Sequence, residues 1–483
     1  AAYQAASQTG GPNPSYIGST GGGLNSLGMY AAPYQTPYAI QFNGGVQREL
    51  PKGIVLSVDF IHSATLKIPI QIDVNHVGAA RFLNKAGAQA AIAATLAACG
   101  AASINAAIVP GGCPGGSGVD ANGNPNASAT IVDFASNGLD SGNQFDGSFP
   151  ASSAHTAVSA FPGANPNVGR GFFILPVGRS GYDALQIVFK QQAKHPVPGV
   201  MSSNVQVSYS LSRIINPIQP GSNSAGSGDQ FFSSYAWNND NPNLFMGRSN
   251  LDHTNQLSFG GSMQLKYGLN ASLVGHFYSA GATSLTLDST SGAAGEIFRT
   301  DVDGDGTTGD LVPGTNPGAY MHEVKGAGLN KLINNYNATQ AGTLTPAGKA
   351  LVAAGLFTQS QLVSMNAVQQ AIATAPTTPI NNGVFRGFDA SFTYPIKLSR
   401  VREGLSLEPG VALYNVSNMS NFGRLGGVLA NTSTAGGSVG AVSNFLNGPN
   451  DTSIHDGIRW QRGSGTFDQG APRSTEFQLK VNF

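Results

Sequence analysis

Charge is scarce in this chain of 483 residues. The 25 Lys and Arg and 25 Asp and Glu make up 10% of it, against roughly 25% in an ordinary soluble domain. The formal net charge is zero, so the basic excess that a nucleic-acid partner requires is missing. Long apolar runs are missing too. The longest uncharged stretch of note, 86–109, is mostly Ala and carries Gln89, Thr95, Ser103 and Asn105, whereas a spanning helix needs about 20 strongly apolar residues. No HExxH, P-loop, CxxC or zinc spacing occurs, and the expectation is that the chain is not an enzyme. What fills the space is Gly (64 residues), Ala, Ser, Asn and Thr, with 8% aromatics. That aromatic content argues against simple disorder. A large, neutral, Gly- and Asn-rich β protein remains. There is no Met at position 1 and no signal peptide, so the chain reads as mature or truncated.

Cysteine is limited to Cys99 and Cys113, close together in a Gly- and Pro-rich region. The expected reading is a disulfide formed in an oxidising compartment. It would close a loop of about 15 residues and contribute roughly 3 kcal/mol there; two unpaired thiols are the alternative.

Period-two alternation marks the strands. At the end of the chain Phe477, Leu479, Val481 and Phe483 share one face and Glu476, Gln478, Lys480 and Asn482 the other. The segments 256–266, 204–212 and 388–398 alternate as clearly, and 40–50, 54–61, 182–192, 269–278 and 405–414 more weakly. Short turns join them pairwise: Pro51-Lys52-Gly53, His195 to Gly199, Tyr267-Gly268 and Ser399 to Gly404. Between the hairpins the connections are long, at about 62–181, 213–253, 279–387 and 415–474, while 1–36 reads as a further loop. Compact domains seldom carry such connections. Short turns alternating strictly with long loops are the layout of an antiparallel transmembrane β-barrel with long extracellular loops. With the short turns on the periplasmic side, strand 475–483 runs inward and ends at the periplasm.

Lipid as solvent fits the rest of the pattern. Backbone groups cannot be left open to hydrocarbon, so a spanning sheet must close, with one apolar and one polar face. The cations Arg48, Lys52, Lys190, Lys194, Lys266, Lys397 and Arg400 fall at the turn ends of their strands, away from the midplane where each would cost about 2–4 kcal/mol. The nine strands are a minimum, because single-chain bacterial barrels are even-numbered. The expectation is a partial barrel over 37–483 that begins inside an outer loop and lacks its upstream strands. Short helices are expected within the loops, at Ala86 to Ala98, Ala347 to Leu356 and Thr358 to Ala375, packing the loops together. Thr345-Pro346 is a helix start signal.

These residues also resemble a family. The ending Glu476 to Phe483 is similar to the terminal strand of outer-membrane barrels, finishing on an aromatic. The stretches Tyr38 to Asn43, Val46 to Pro51, Tyr182 to Gln186, Val207 to Ser212, Asp252-His253 and Tyr414 to Phe422 resemble TonB-dependent outer-membrane receptors of the Oar-like group. The resemblance covers most of 37–483. It implies the C-terminal barrel portion of a receptor in the bacterial outer membrane. It also implies that Phe477, Leu479, Val481 and Phe483 form a signal read by the barrel assembly machinery, and that TonB engages through an N-terminal region with plug and regulatory domain that this sequence does not display. The partners implied are membrane lipid and an extracellular solute whose identity the sequence does not reveal.

Three local patterns remain. Asp301-Val302-Asp303-Gly304-Asp305-Gly306 matches the first half of a calcium loop, with carboxylates at alternating positions and Gly at the sixth. The twelfth position is Val312 in place of the usual Glu; Asp310 is the available substitute. A solvated Asp/Gly turn is the alternative. Phe231, Phe232, Tyr235 and Trp237, with Phe245, stand among Asn and Asp in an outer loop. They would either stack on a ligand or anchor the loop to the barrel wall. Gly436-Gly437-Ser438-Val439-Gly440 matches GxSxG but lacks the strand and helix a nucleophile elbow needs. His276 falls on a polar strand face and is expected to line the lumen. The function expected is a TonB-dependent barrel that binds and admits a solute. The rivals are a passive porin or structural barrel, and a surface adhesin or hydrolase.

Overall fold

The fold is seen in a computed structural model. It describes residues 29–30, 35–120, 123–140, 159–166, 170–219, 235–289, 293–374, 383–400, 402–421, 427–429 and 472–483. Among the described residues, alternating side chains produce nine long strands: β1 Tyr38–Leu50, β2 Ile54–Asp73, β3 Phe172–Lys194, β4 Val200–Asn216, β5 Asn255–Leu265, β6 Asn270–Tyr278, β7 Phe385–Thr393, β8 Ser406–Tyr414 and β9 Ser474–Asn482. Each pairs antiparallel with the next in chain order. Among the described residues β1 and β9 pair on one side only, so this up-and-down sheet has two open edges.

Register carries the alternation from strand to strand, because directly opposed residues share a face. Val58, Ile187, Tyr209, Leu257 and Phe277 lie in one cross-strand row, and Leu56, Phe189, Val207, Phe259, Gly275 and Phe388 in another. The opposite face carries Asp59, Gln186, Ser210, Gln256 and Tyr278 in one row. The apolar face is uncovered by protein at the edges: Val46 is 74% exposed, Phe42 62% and Phe477 83%. The packing within that face is specific. A Cβ at Gly275 would sit 2.3 Å from the Phe259 ring, which spreads over that glycine towards Phe277.

The tight turns use left-handed backbone. Lys52-Gly53 (φ 68° and 67°) and Tyr267-Gly268 (φ 70° and 90°) match the right-handed twist of the strands they join. The long connections, 74–171, 217–254, 279–384 and 415–473, all leave from the other end of the sheet. They are shorter than expected at several ends because the strands run on. Beyond a register shift near Lys67, β2 continues to Asp73 and pairs with the start of β3, and there Ile70 and Ile72 pack with Ala236, Leu175 and Ile218. The segment expected as a continuous strand over 388–398 breaks after Thr393. Pro395 lacks the N–H for the ladder, and pairing resumes only at Ile396–Lys397.

The connections build a folded cap with its own core. Helix α1 (Lys85–Cys99) starts at Asn84, whose side chain accepts from Gly87 N, and stops at Gly100 in the left-handed region. Helices α2 (Ile104–Ala107) and α3 (Ile131–Phe134) follow it. From the β6–β7 connection come α4 (Gly326–Thr339), α5 (Pro346–Ala353) and α6 (Gln359–Ser364). Ala88, Ala91, Phe134 and Phe161 of the first connection share one core with Phe298, Leu351, Phe357 and Leu362 of the third. Phe134 meets Phe357 edge to face, as does Phe161 with Phe298. The helix expected over 358–375 ends at α6. Asn366 turns left-handed (φ 60°), and the chain then runs without helix through Val368 and Ile372, which are buried. The patterning did not announce α4, since its first turn holds two glycines and no side-chain cap; Leu329, Ile333 and Tyr336 form its buried stripe.

Candidate functional site

The acidic loop 301–310 lies where the cap connections converge. Gly304 and Gly306 have positive φ (82° and 92°). A Cβ on Gly304 would press into Pro346, and one on Gly306 into the backbone of Val77 and Ala79, so both glycines admit close neighbours from other segments. Asp301 accepts from Gly304 N (2.6 Å) and Gly306 N (3.0 Å). Asp310 accepts from Val302 N (2.7 Å) and Thr307 Oγ1 (3.2 Å). Asp303, the exposed member, accepts from Asn238 Nδ2 of the β4–β5 connection (2.7 Å). Oxygens of Asp301, Asp303 and Asp310 lie within 4.8 Å of one another. Oxygens about 2.3–2.6 Å from a central Ca²⁺ would be spaced comparably.

Asp305, expected as the third ligand, lies outside that group. Its carboxylate accepts from Thr307 N and Oγ1 and from Asn239 N, tying two connections together. Val312, at the twelfth position, is fully buried in apolar packing. Burial, then repulsion among the carboxylates, pushes Asp301 and Asp310 well above the usual range and Asp305 up to about 7.

A separate buried carboxyl, Glu296, is also pushed up to about 7, chiefly by burial and against the pull of Arg299. Thr300 Oγ1 donates to it (3.0 Å). Between the ordinary carboxyl value of 4.5 and about 7 the folded cap binds the extra proton, so stability falls as pH rises through that window. The cost is fully expressed above pH 7 and amounts to about 3 kcal/mol. Glu296→Gln is therefore expected to match the parent in cap proteolysis at pH 5 and to resist better at pH 8. Parallel cleavage rates of the two proteins at both pH values would refute this.

Cys99 and Cys113 are joined, with Sγ atoms 1.98 Å apart, and fasten the end of α1 to the turn that precedes α3. Of the outer-loop aromatics, Phe231 and Phe232 lie outside the described residues, as does the Gly436–Gly440 match. Trp237 is 4% exposed, and its carbonyl accepts from Thr307 Oγ1. Tyr235 meets Phe172 edge to face. Trp237 is enclosed within its connection, while Tyr235 is half-buried. Phe477, Leu479 and Val481 stand on the apolar face opposite Val411, Pro409 and Leu407, and Phe483 follows, 81% exposed. His276 is on the polar face, its Nδ1 within 3.0 Å of Ser258 Oγ and 3.2 Å of Tyr278 Oη.

An uncovered apolar face, a polar face and long connections all at one end meet their counterpart in a family described as outer membrane beta barrel domain, whose profile matches residues 2–451. The chain belongs to this family. It is an antiparallel outer-membrane β-barrel chain of the bacterial outer membrane, its apolar face against lipid and its polar face towards the lumen. Among solved structures it is similar to the outer membrane transporter YddB from Escherichia coli, at 8% identity and a TM-score of 0.33, over 82% of this chain and 31% of that one. No curated protein matches.

Proposed function

We propose that this chain is the barrel portion of a TonB-dependent outer-membrane receptor that binds an extracellular solute and admits it with energy delivered through TonB. The observation that carries this reading is the placement of a folded, multi-connection cap at one end of a sheet whose polar face lines the lumen. A pore for free diffusion has little use for such a structured mouth. The Oar-like phrases of the sequence support the same reading. The test is made on the gene product that carries this chain. Crosslinking to the periplasmic domain of TonB and a closed state in planar bilayers are expected. A steady open conductance without a TonB crosslink would favour the passive porin.

Two further assignments belong to this reading. The carboxylates Asp301, Asp303 and Asp310 hold Ca²⁺ and so brace the cap. The terminal residues Phe477, Leu479, Val481 and Phe483 serve as the signal for the barrel assembly machinery. Deleting Phe483 is expected to lower severalfold the heat-modifiable, folded form in outer membranes; an unchanged folded yield would dismiss that assignment.

A further inference from the structure

On the lumen face, at mid-height of β4, β5 and β6, lies an open recess of about 450 Å³, within the range of about 300–1,000 Å³ usual for small-ligand sites. Its rim is formed by Asn204, Gln206, Ser208, Ser258, Ser262 and His276. Its floor is Gly260 with Val274, an aliphatic side chain 42% exposed on an otherwise polar face.

The glycine at 260 is what opens this recess, and the backbone does not demand it. A Cβ there would meet only Leu273 O at 3.6 Å and Val274 Cγ2 at 3.8 Å, which is ordinary contact. Its neighbour Gly261 differs, since a Cβ would come within 2.7 Å of Asn204 O. At 260 a side chain could be housed, and its absence leaves space on the lumen wall.

The chemistry of the wall is selective. The lumen-facing positions of β4, β5 and β6 include Ser202, Asn204, Gln206, Ser208, Ser210, Gln256, Ser258, Ser262, Gln264, Asn270 and Ser272, with no Asp, Glu, Lys or Arg among the lumen-facing residues of these three strands. Charge returns on either side, at Asp59 and Lys190 and at Glu408 and Lys480. The adjacent carboxylate, Asp389 opposite Val274 on β7, is engaged by Asn415 N (2.8 Å). Rim groups are partly pre-positioned, with Gln206 Nε2 donating to Ser208 Oγ (3.3 Å) and His276 held by Ser258 or Tyr278. The row through the recess ends in Lys190 beyond Gln206 and in Asp389 beyond Val274, one charge of each sign, so neither an anion nor a cation gains a net partner there. An apolar solute would bury a ring of hydroxyls and amides without partners, at a cost for each. A neutral sugar satisfies both parts: its hydroxyls exchange hydrogen bonds with the rim, and the C–H face of the ring lies on Gly260 and Val274.

We propose that this recess is a solute-binding station on the lumen wall for neutral carbohydrate. The assignment rests on the solute-admitting reading above and gives it a substrate class.

The test uses the gene product carrying this chain, purified in the sugar-free detergent lauryldimethylamine oxide, with folding verified by heat-modifiable migration. Calorimetry and saturation-transfer NMR are run with maltohexaose, cellohexaose and, as the charged counterpart, hexagalacturonate. Binding of at least one neutral hexasaccharide is expected, weakened about tenfold or more by Gly260→Leu, which fills the recess, and also weakened by Gln206→Ala. Hexagalacturonate is expected not to bind. The proposal is overturned if neither neutral sugar binds, if both variants bind like the parent, or if hexagalacturonate binds as well as the neutral sugars. Binding in detergent needs no TonB or energy, so loss of the TonB crosslink with sugar binding intact would count against the receptor reading alone. Absent sugar binding with the crosslink intact would count against the carbohydrate assignment alone.

Discussion

Ile187→Arg is expected to lower the urea midpoint of the folded barrel sharply, while Gln186→Arg, one residue earlier on β3, leaves it nearly unchanged. The two side chains point to opposite faces. Ile187 lies between Val58 and Tyr209 in the lipid-facing row, and Gln186 between Asp59 and Ser210 in the lumen-facing row. Both sit near mid-height of a long strand, so an arginine at 187 meets the hydrocarbon midplane at a cost of about 2–4 kcal/mol. In a barrel of ordinary stability that lowers the folded-to-unfolded ratio roughly thirtyfold to several-hundredfold. At 186 the guanidinium enters a wet lumen beside the Asp59 carboxylate. Urea titration in lipid vesicles, read by heat-modifiable migration, separates the cases. Equal loss of folded protein in both variants would mean that the faces are assigned wrongly.

Millimolar Ca²⁺ is expected to slow proteolysis within the 279–384 connection about tenfold, as for a weak extracellular-type site stabilising the closed cap by mass action. Chelation should reverse the effect. Asp301 and Asp310 are 0% and 5% exposed and have oxygens within 4.8 Å of each other and of Asp303. Three ionised carboxylates so arranged repel strongly, and a divalent cation relieves that. Asp310→Asn should remove most of the calcium effect, whereas Asp305→Asn should keep it, because Asp305 is engaged by Asn239 and Thr307 outside the three-carboxylate group. Cleavage rates indifferent to calcium in the parent protein would leave the loop as an acidic turn held only by its own hydrogen bonds.

What the sequence determined by itself is the part governed by near neighbours along the chain. Period two in segments such as 204–212 and 256–266 dictates which side chains share a face, and a Tyr-Gly or Lys-Gly turn dictates a tight reversal. Short and long connections then fix by parity which end of the sheet carries the cap. The cysteine spacing pointed to the bridge between Cys99 and Cys113. Tertiary structure decided the rest, because those features depend on segments far apart in sequence. Asp310 replaces Asp305 beside Asp301 because the loop is clamped: Asn239 takes Asp305 from one side, and the backbone near Val77 together with Pro346 crowds Gly306 and Gly304 from the others. Helix α4 forms because Leu329, Ile333 and Tyr336 find Leu285, Val312 and Leu429 to pack against, not because its Gly- and Asn-rich sequence favours helix. Trp237 is an anchor because the acidic loop lies over its carbonyl. The open floor at Gly260 exists only where three strands in register set its bare position between Gln206 and Val274. No local pattern encodes that, since the same residue type at Gly275 is there to admit a phenylalanine ring.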